Sequence, residues 1–183
     1  MDAIEALIGR VSPAGLGPPG PGDEELRKIL EAAAAAPDHG RLQPWRFIVM
    51  AGEARERLGE ILAQSLQRRE PDSPPARLEA EKRKALRSPL VILVAAAVKE
   101  NPNVPEVEQI VSAGAAAQNI LLAAHALGFG GFWRTGAVAY DGEAKRALGL
   151  EESDRVVGFL YLGSVVLAGR PRRVEIDPLV RRW

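Results

Sequence analysis

Nine consecutive residues, Leu90-Val91-Ile92-Leu93-Val94-Ala95-Ala96-Ala97-Val98, carry no polar side chain, and they constrain the fold more than any other segment. The run is far short of the roughly 20 residues a membrane-crossing helix needs. Apolar on both faces, it requires cover on both, and it reads as a central strand with helices above and below. The flanking pattern supplies those helices. Ala3-Ile4-Glu5-Ala6-Leu7-Ile8 has helical spacing and stops at Gly9. Leu26, Ile29, Leu30, Ala33 and Ala34 recur at helical intervals from an N-cap at Asp23 until Pro37 forbids continuation. Further helical patterns run from Ala54 to Arg69, from Ala76 to about Leu86, from Val107 to Leu127 and from Ala144 to Leu148. Phe47-Ile48-Val49-Met50 and Arg155 to Gly163 read as strands. The glycine- and proline-rich stretch from Arg10 to Gly22 reads as loop, as do Asn101–Pro105 and Glu70–Pro75, the last a candidate mobile surface loop. Strands separated by helices imply an α+β or α/β fold over a single domain, residues 1–183. Strand order cannot be deduced from this pattern.

At 183 residues the chain can bury roughly two thirds of the surface it exposes when unfolded, so it needs no staples. It has no cysteine, which excludes disulfides, zinc–thiolate sites and thiol catalysis. Lysine plus arginine equals aspartate plus glutamate at 24 each, leaving no global field to favour nucleic acid or an anionic membrane. The acidic start Met1-Asp2-Ala3-Ile4-Glu5 leads into a short amphipathic segment instead of an apolar signal core. These features read as a soluble cytoplasmic protein. Asp38, Glu106 and Glu108 form no recognisable acid pair, and no serine sits in a G-x-S-x-G elbow. Hydrolytic triads and two-metal sites therefore have no support, and no metal is expected. The alanine-rich pattern of Val107–Leu127, with Ala113, Gly114, Ala115, Ala116, Ala117, Ala123 and Ala124, lets other helices approach closely and suggests a partner subunit.

Two distant stretches, Ala36–Phe47 and Gly128–Gly136, gather rings, guanidinium groups, prolines and glycines. Proline fixes the backbone and glycine admits close approach, while tryptophan offers a flat apolar wall and arginine a donor fork. The combination suits a flat ligand with a polar edge. Gly128-Phe129-Gly130-Gly131 is not a dinucleotide fingerprint, because the sixth position of G-x-G-x-x-G is Trp133 and the glycines end a helix instead of opening one. A helix stop at Gly128 followed by a short buried strand accounts for the glycines. It leaves Trp133-Arg134-Thr135-Gly136 unexplained. Near the amino terminus, Arg10 and Ser12 offer a charged fork and a hydroxyl in a loop with free N–H groups, a pairing suited to phosphate. On that dyad alone, a solvated arginine is the simpler account. Taken alone, His39 and His125 both read as structural histidines, and Trp45 as a packing residue.

In combination, Arg10-x-Ser12, Ala36-Pro37-Asp38-His39, Gln43-Pro44-Trp45 and Gly128-x-Gly130-Gly131-x-Trp133-Arg134-x-Gly136 resemble the flavin-binding segments of the nitroreductase family, most of all its compact YdjA-type branch. The likeness runs over nearly the whole chain. It implies an α+β fold in α/β/α layers with a central mixed, mainly antiparallel sheet flanked by helices, and a homodimer with exchanged C-terminal segments and one FMN in each of two interface sites. It implies FMN contacts from Arg10, Val11, Ser12, Ala35, Pro37, His39, Gln43, Phe132, Trp133, Arg134 and Arg172, with His39 facing the flavin of the partner subunit. Relatives carry Arg-Arg-Ser where this chain has Arg10-Val11-Ser12. Arg170, Arg172 and Arg173 are either the replacement for that missing charge or a solvated tail.

The resemblance further implies an FMN-dependent NAD(P)H oxidoreductase. NADH or NADPH would deliver hydride to flavin N5, and a nitroaromatic or quinone would then take it in ping-pong order. No protein residue is expected to act as the catalyst, because the cofactor carries the hydride. Other flavin reactions on the same scaffold, such as dehydrogenation or dehalogenation, and a flavin-free dimeric interaction protein are the alternatives.

Overall fold

The computed structural model describes residues 2–171 and 174–183. Helix α1 (Ala3–Gly9) is opened by Asp2, whose carboxylate accepts the Ile4 and Glu5 N–H groups at 2.8 and 2.9 Å. Strand β1 (Gly15–Gly17) follows, then helix α2 (Asp23–Ala34), strand β2 (Trp45–Ala51), and helices α3 (Glu53–Arg69) and α4 (Pro75–Lys82). Strand β3 (Leu90–Ala96), helix α5 (Glu106–Ala126), strand β4 (Gly130–Arg134), helix α6 (Gly142–Ala147) and strand β5 (Arg155–Leu167) complete the order. The sheet runs β1-β5-β3-β2, with β4 also paired to β5, and every pairing is antiparallel. This is the expected α+β architecture.

All seven residues of β3 are buried, held between β2 (Trp45 opposite Ala96 through Ala51 opposite Leu90) and β5 (Leu90 opposite Leu162). Its side chains alternate, as the pleat requires. Leu90, Ile92, Val94 and Ala96 join Leu160 and Leu162 against α2 and α5, whereas Val91, Leu93 and Ala95 join Phe159 and Tyr161 against Leu58 and Leu62 of α3. Each fully buried Val, Leu or Ile contributes about 1.5–3 kcal/mol relative to exposure.

Helix α5 lays Ala113, Ala116, Ala117, Ile120 and Ala124 on the sheet, and Asn119 donates to the Ala32 carbonyl at the end of α2 at 2.9 Å. Its outer face is open in the single chain, with Val107 and Val111 63% and 65% exposed. Among the described residues no helix is long and apolar enough to cross a membrane.

Several boundaries differ from those the sequence suggests. The Arg10–Gly22 stretch is not loop throughout: Gly15–Gly17 pairs with the end of β5, which runs on past Gly163 to Leu167. The N-cap of α2 is Gly22, whose N–H is accepted by the Glu25 carboxylate at 3.0 Å, and Asp23 is the first helical residue. The Ala76–Leu86 pattern divides into α4 and a 3-10 turn, Arg83–Leu86. The loop before α4 is tied by an Arg77–Glu70 ion pair at 2.7 Å.

Candidate functional site

The chain between α1 and β1 passes the end of β5, where the Ala14 N–H donates to the Leu167 carbonyl at 2.9 Å. A Cβ at Gly169 would overlap the Ser12 carbonyl oxygen, so glycine is required for this close passage. Arg10 and Val11 line a cavity of about 270 Å³ here, together with Phe129 and the β4 glycines Gly130 and Gly131. Nε and Nη1 of Arg10 are buried and have no hydrogen-bond partner among the described residues. A guanidinium left so is costly unless a ligand pairs with it. Its donor fork suits a phosphate, so the site fits the phosphate end of the FMN implied by the resemblance. Ser12 is exposed and stands outside the cavity lining. Arg172 lies outside the described residues. His125, which the sequence suggested was structural, lines the same cavity.

The second expected stretch forms a corner after α2. Gly40, Arg41 and Gln43 have φ of 70°, 53° and 48°, and the last two are unusual for residues with a side chain. Asp38 holds them: its carboxylate accepts the Leu42 N–H at 3.1 Å and the Gln43 N–H at 2.7 Å. Trp45 packs under the corner as expected, its indole N–H donating to Ser112 Oγ at 3.0 Å, while Ser112 donates to the Pro37 carbonyl at 2.6 Å. Pro37 and His39 face α5 and line a cavity of about 310 Å³ with Val107, Val111 and Ala115. Ala35 and Gln43 face the other way, into a groove of about 520 Å³ with Arg41 and Arg46. His39 Nδ1 hydrogen-bonds Glu108 on α5, a partner the sequence did not reveal because 69 residues separate the two.

On β4 the expected trio is divided by the pleat. Phe132 is buried and stacked on Tyr161, ring centroids 4.9 Å apart, and the Arg134 guanidinium lies 5.2 Å from the Phe132 centroid on that same α3 face. Trp133 points to the opposite face, lying across Gly158, where no Cβ could fit, with its indole N–H on the Val157 carbonyl at 3.1 Å. The Trp133 ring and the Arg134 guanidinium therefore lie on opposite faces of the sheet. Among the described residues β4 pairs on one side only. Alternate N–H and C=O groups of Gly130–Arg134 consequently point out of the sheet, and this backbone edge suits the polar rim of a flat heterocycle.

Arg134 also enters a bowl of about 380 Å³ with Arg69, Arg77, Lys84, Arg87 and Tyr161. Glu70 and Glu81 pair with Arg77 and Lys84 at 2.7 and 2.6 Å; Arg69, Arg87 and Arg134 have no carboxylate partner among the described residues. Burial raises the Tyr161 hydroxyl pKa, against the opposing pull of Arg87 and Arg134. Among the described residues, no group of three or more His, Asp or Glu is placed to hold a metal.

Residues 17–164 match the Nitroreductase family. A relative from Escherichia coli (strain K12), named "Putative NAD(P)H nitroreductase YdjA", is 43% identical over 164 residues, spanning 90% of this chain and 88% of the relative. This chain belongs to the nitroreductase family. The fold agrees: the "Nitroreductase-like Family Protein" from Bacillus cereus superposes with a TM-score of 0.86 at 23% identity, covering 100% of this chain and 96% of that one. A "putative nitroreductase in complex with fmn" from Desulfovibrio desulfuricans gives a TM-score of 0.76 at 26% identity, covering 100% and 98%. Within this nitroreductase chain the Arg10 cavity and the His39 corner lie toward opposite ends of α5, since one is lined by His125 and the other by Glu108. At 1.5 Å per residue that is about 25 Å along the helix.

Proposed function

We propose that this chain is an FMN-dependent NAD(P)H oxidoreductase of nitroreductase type, a cytoplasmic homodimer with a flavin in each interface. The observation that carries this reading is the buried, unpartnered guanidinium of Arg10. Bound FMN would supply the hydride relay through its N5, accepting from NADH or NADPH and giving to nitroaromatic, quinone or similar acceptors in ping-pong order. Arg10 would hold the phosphate, with the passage of Gly169 over Ser12 keeping the loop in place. The open backbone edge of β4 would bind the pyrimidine rim, and its N–H groups are suited to stabilise charge that develops there.

The distance along α5 supports the two-chain site. A flavin held at Arg10 would have to run most of the helix to meet His39 of its own chain. In a twofold pair with the α5 helices antiparallel, His39 of the partner subunit comes beside it. Exposed Val107 and Val111, and exposed Val165, Val166 and Leu167 at the end of β5, supply apolar surface for that contact. Arg69, Arg87 and Arg134, without a carboxylate partner among the described residues, give a cationic wall suited to the phosphates of a nicotinamide dinucleotide.

The test is spectroscopic. The purified protein should be yellow or take up added FMN at micromolar or tighter affinity, and NADH or NADPH without oxygen should bleach the flavin absorption. Adding a nitroaromatic or quinone should restore the colour. Colourless protein that binds no FMN, or a flavin that stays oxidised with both nicotinamides, overturns the reading.

A further inference from the structure

Beyond the residues already assigned to the flavin, one side chain stands in the Arg10 cavity without an evident structural role. His125 lies in the last turn of α5, and its ring faces the end of α1: a Cβ built on Gly9, the residue before Arg10, would stand 3.9 Å from His125 Nε2. The imidazole has no hydrogen-bond partner among the described residues, while the Arg10 guanidinium across the same cavity has two buried, unpaired nitrogens. Two nitrogen-bearing groups able to donate thus face one space whose other walls, including Val11, Phe129 and Val165, are apolar. Resting on the flavin reading above, we infer that His125 is a second ligand for the flavin phosphate, filling the role that apolar Val11 cannot.

The charge balance favours this assignment. A phosphate monoester carries about −1.5 to −2 charge at pH 7 on three acceptor oxygens, so one guanidinium leaves it incompletely neutralised in a partly buried site. Around His125 the other charged groups are few. On α1, Glu5 turns its carboxylate back to the Asp2 N–H at 3.1 Å, and the Asp2 carboxylate caps the Ile4 and Glu5 N–H groups. The preceding turn of α5 offers Leu121 and Leu122, the connection after it Phe129, and β4 its two glycines. From β5 and beyond come Val165, Ala168 and Gly169, followed by exposed Arg170. Among the described residues no carboxylate lines the cavity. The imidazole N–H can therefore donate to a bound phosphate with no carboxylate of the described lining competing for it.

The experiment measures FMN and riboflavin binding to the full chain freed of flavin for wild type, His125→Leu and His125→Lys. Riboflavin lacks the phosphate and reports on the rest of the site. FMN should bind His125→Leu about tenfold more weakly than wild type, the size expected for one hydrogen bond to a charged group. His125→Lys, which keeps a donor at this position, should bind FMN at least as tightly as wild type. Riboflavin affinity should not change among the three. Wild-type FMN affinity in His125→Leu overturns the inference alone, as does an equal loss of riboflavin, which would mark a packing role. A wild-type protein that binds neither compound overturns the oxidoreductase reading, and this inference with it.

Discussion

Asp141 shows how one carboxylate can be fixed by its surroundings. Its Oδ1 accepts the Glu143 and Ala144 N–H groups at 3.0 and 3.2 Å, capping α6, and its Oδ2 accepts from Arg68 Nη2 at 2.8 Å. Burial alone would raise its pKa, but the adjacent Ser65 hydroxyl, the Arg68 guanidinium and the Ala144 N–H outweigh burial and hold it at about 2. The folded pKa lies below the unfolded value. The contribution is therefore complete above pH 4 and is lost as the pH falls from about 4 toward 2. Asp141→Asn is expected to lower stability by about 2 kcal/mol at pH 7, with the gap to wild type closing by pH 2. Urea unfolding at both pH values measures it, and a gap independent of pH would contradict the assignment. At this scale the sequence revealed the kinds of residue but not their partners. Arg10, His39 and Trp45 stand out by motif. The bonds of Glu108 to His39 and of Ser112 to Trp45 are pairings that only the folded chain makes.

Elements with strong local signals were legible, and those defined by distant pairing were not. The apolar run that opens at Leu90 forms β3 as expected, and α5 begins and ends within a residue of its periodic pattern. Strand β1 is three residues of Gly-Leu-Gly and exists because the end of β5 pairs with it, so nothing in its own composition announces a strand. The division of Phe132 and Arg134 from Trp133 follows from the two-residue repeat of β4, whose register against β5 the sequence does not state. The corner after α2 is joined to α5 through Trp45, Ser112 and the Pro37 carbonyl. Trp45→Phe keeps the ring packing and removes the indole donor, leaving the buried Ser112 oxygen with one partner fewer. The expected loss is about 1 kcal/mol. It would be read as a lower denaturant midpoint with an unchanged slope, and an unchanged midpoint would show that this bond does not hold the corner.

At the scale of the whole molecule, the single chain leaves apolar surface where a second copy would sit. Ile4, Leu7 and Ile8 of α1 are 63%, 52% and 81% exposed, Val107 and Val111 of α5 are similarly open, and Ile176, Leu179 and Trp183 lie exposed in the C-terminal segment. Scattered exposed hydrophobic residues are ordinary, but here they fall on the elements that carry the two halves of the proposed flavin site. Association would therefore bury apolar area and complete the site in one step. Val111→Glu tests that linkage, because its side chain projects from α5 beside Glu108 and carries no part of the chain's own core. The variant is expected to keep wild-type helix content by circular dichroism and to sediment at half the wild-type mass. Its FMN occupancy should fall with the loss of dimer, since Arg10 would then lack the corner of the partner subunit. A variant that stays dimeric would place the interface elsewhere. A monomer with full FMN affinity would show that one chain suffices to hold the cofactor.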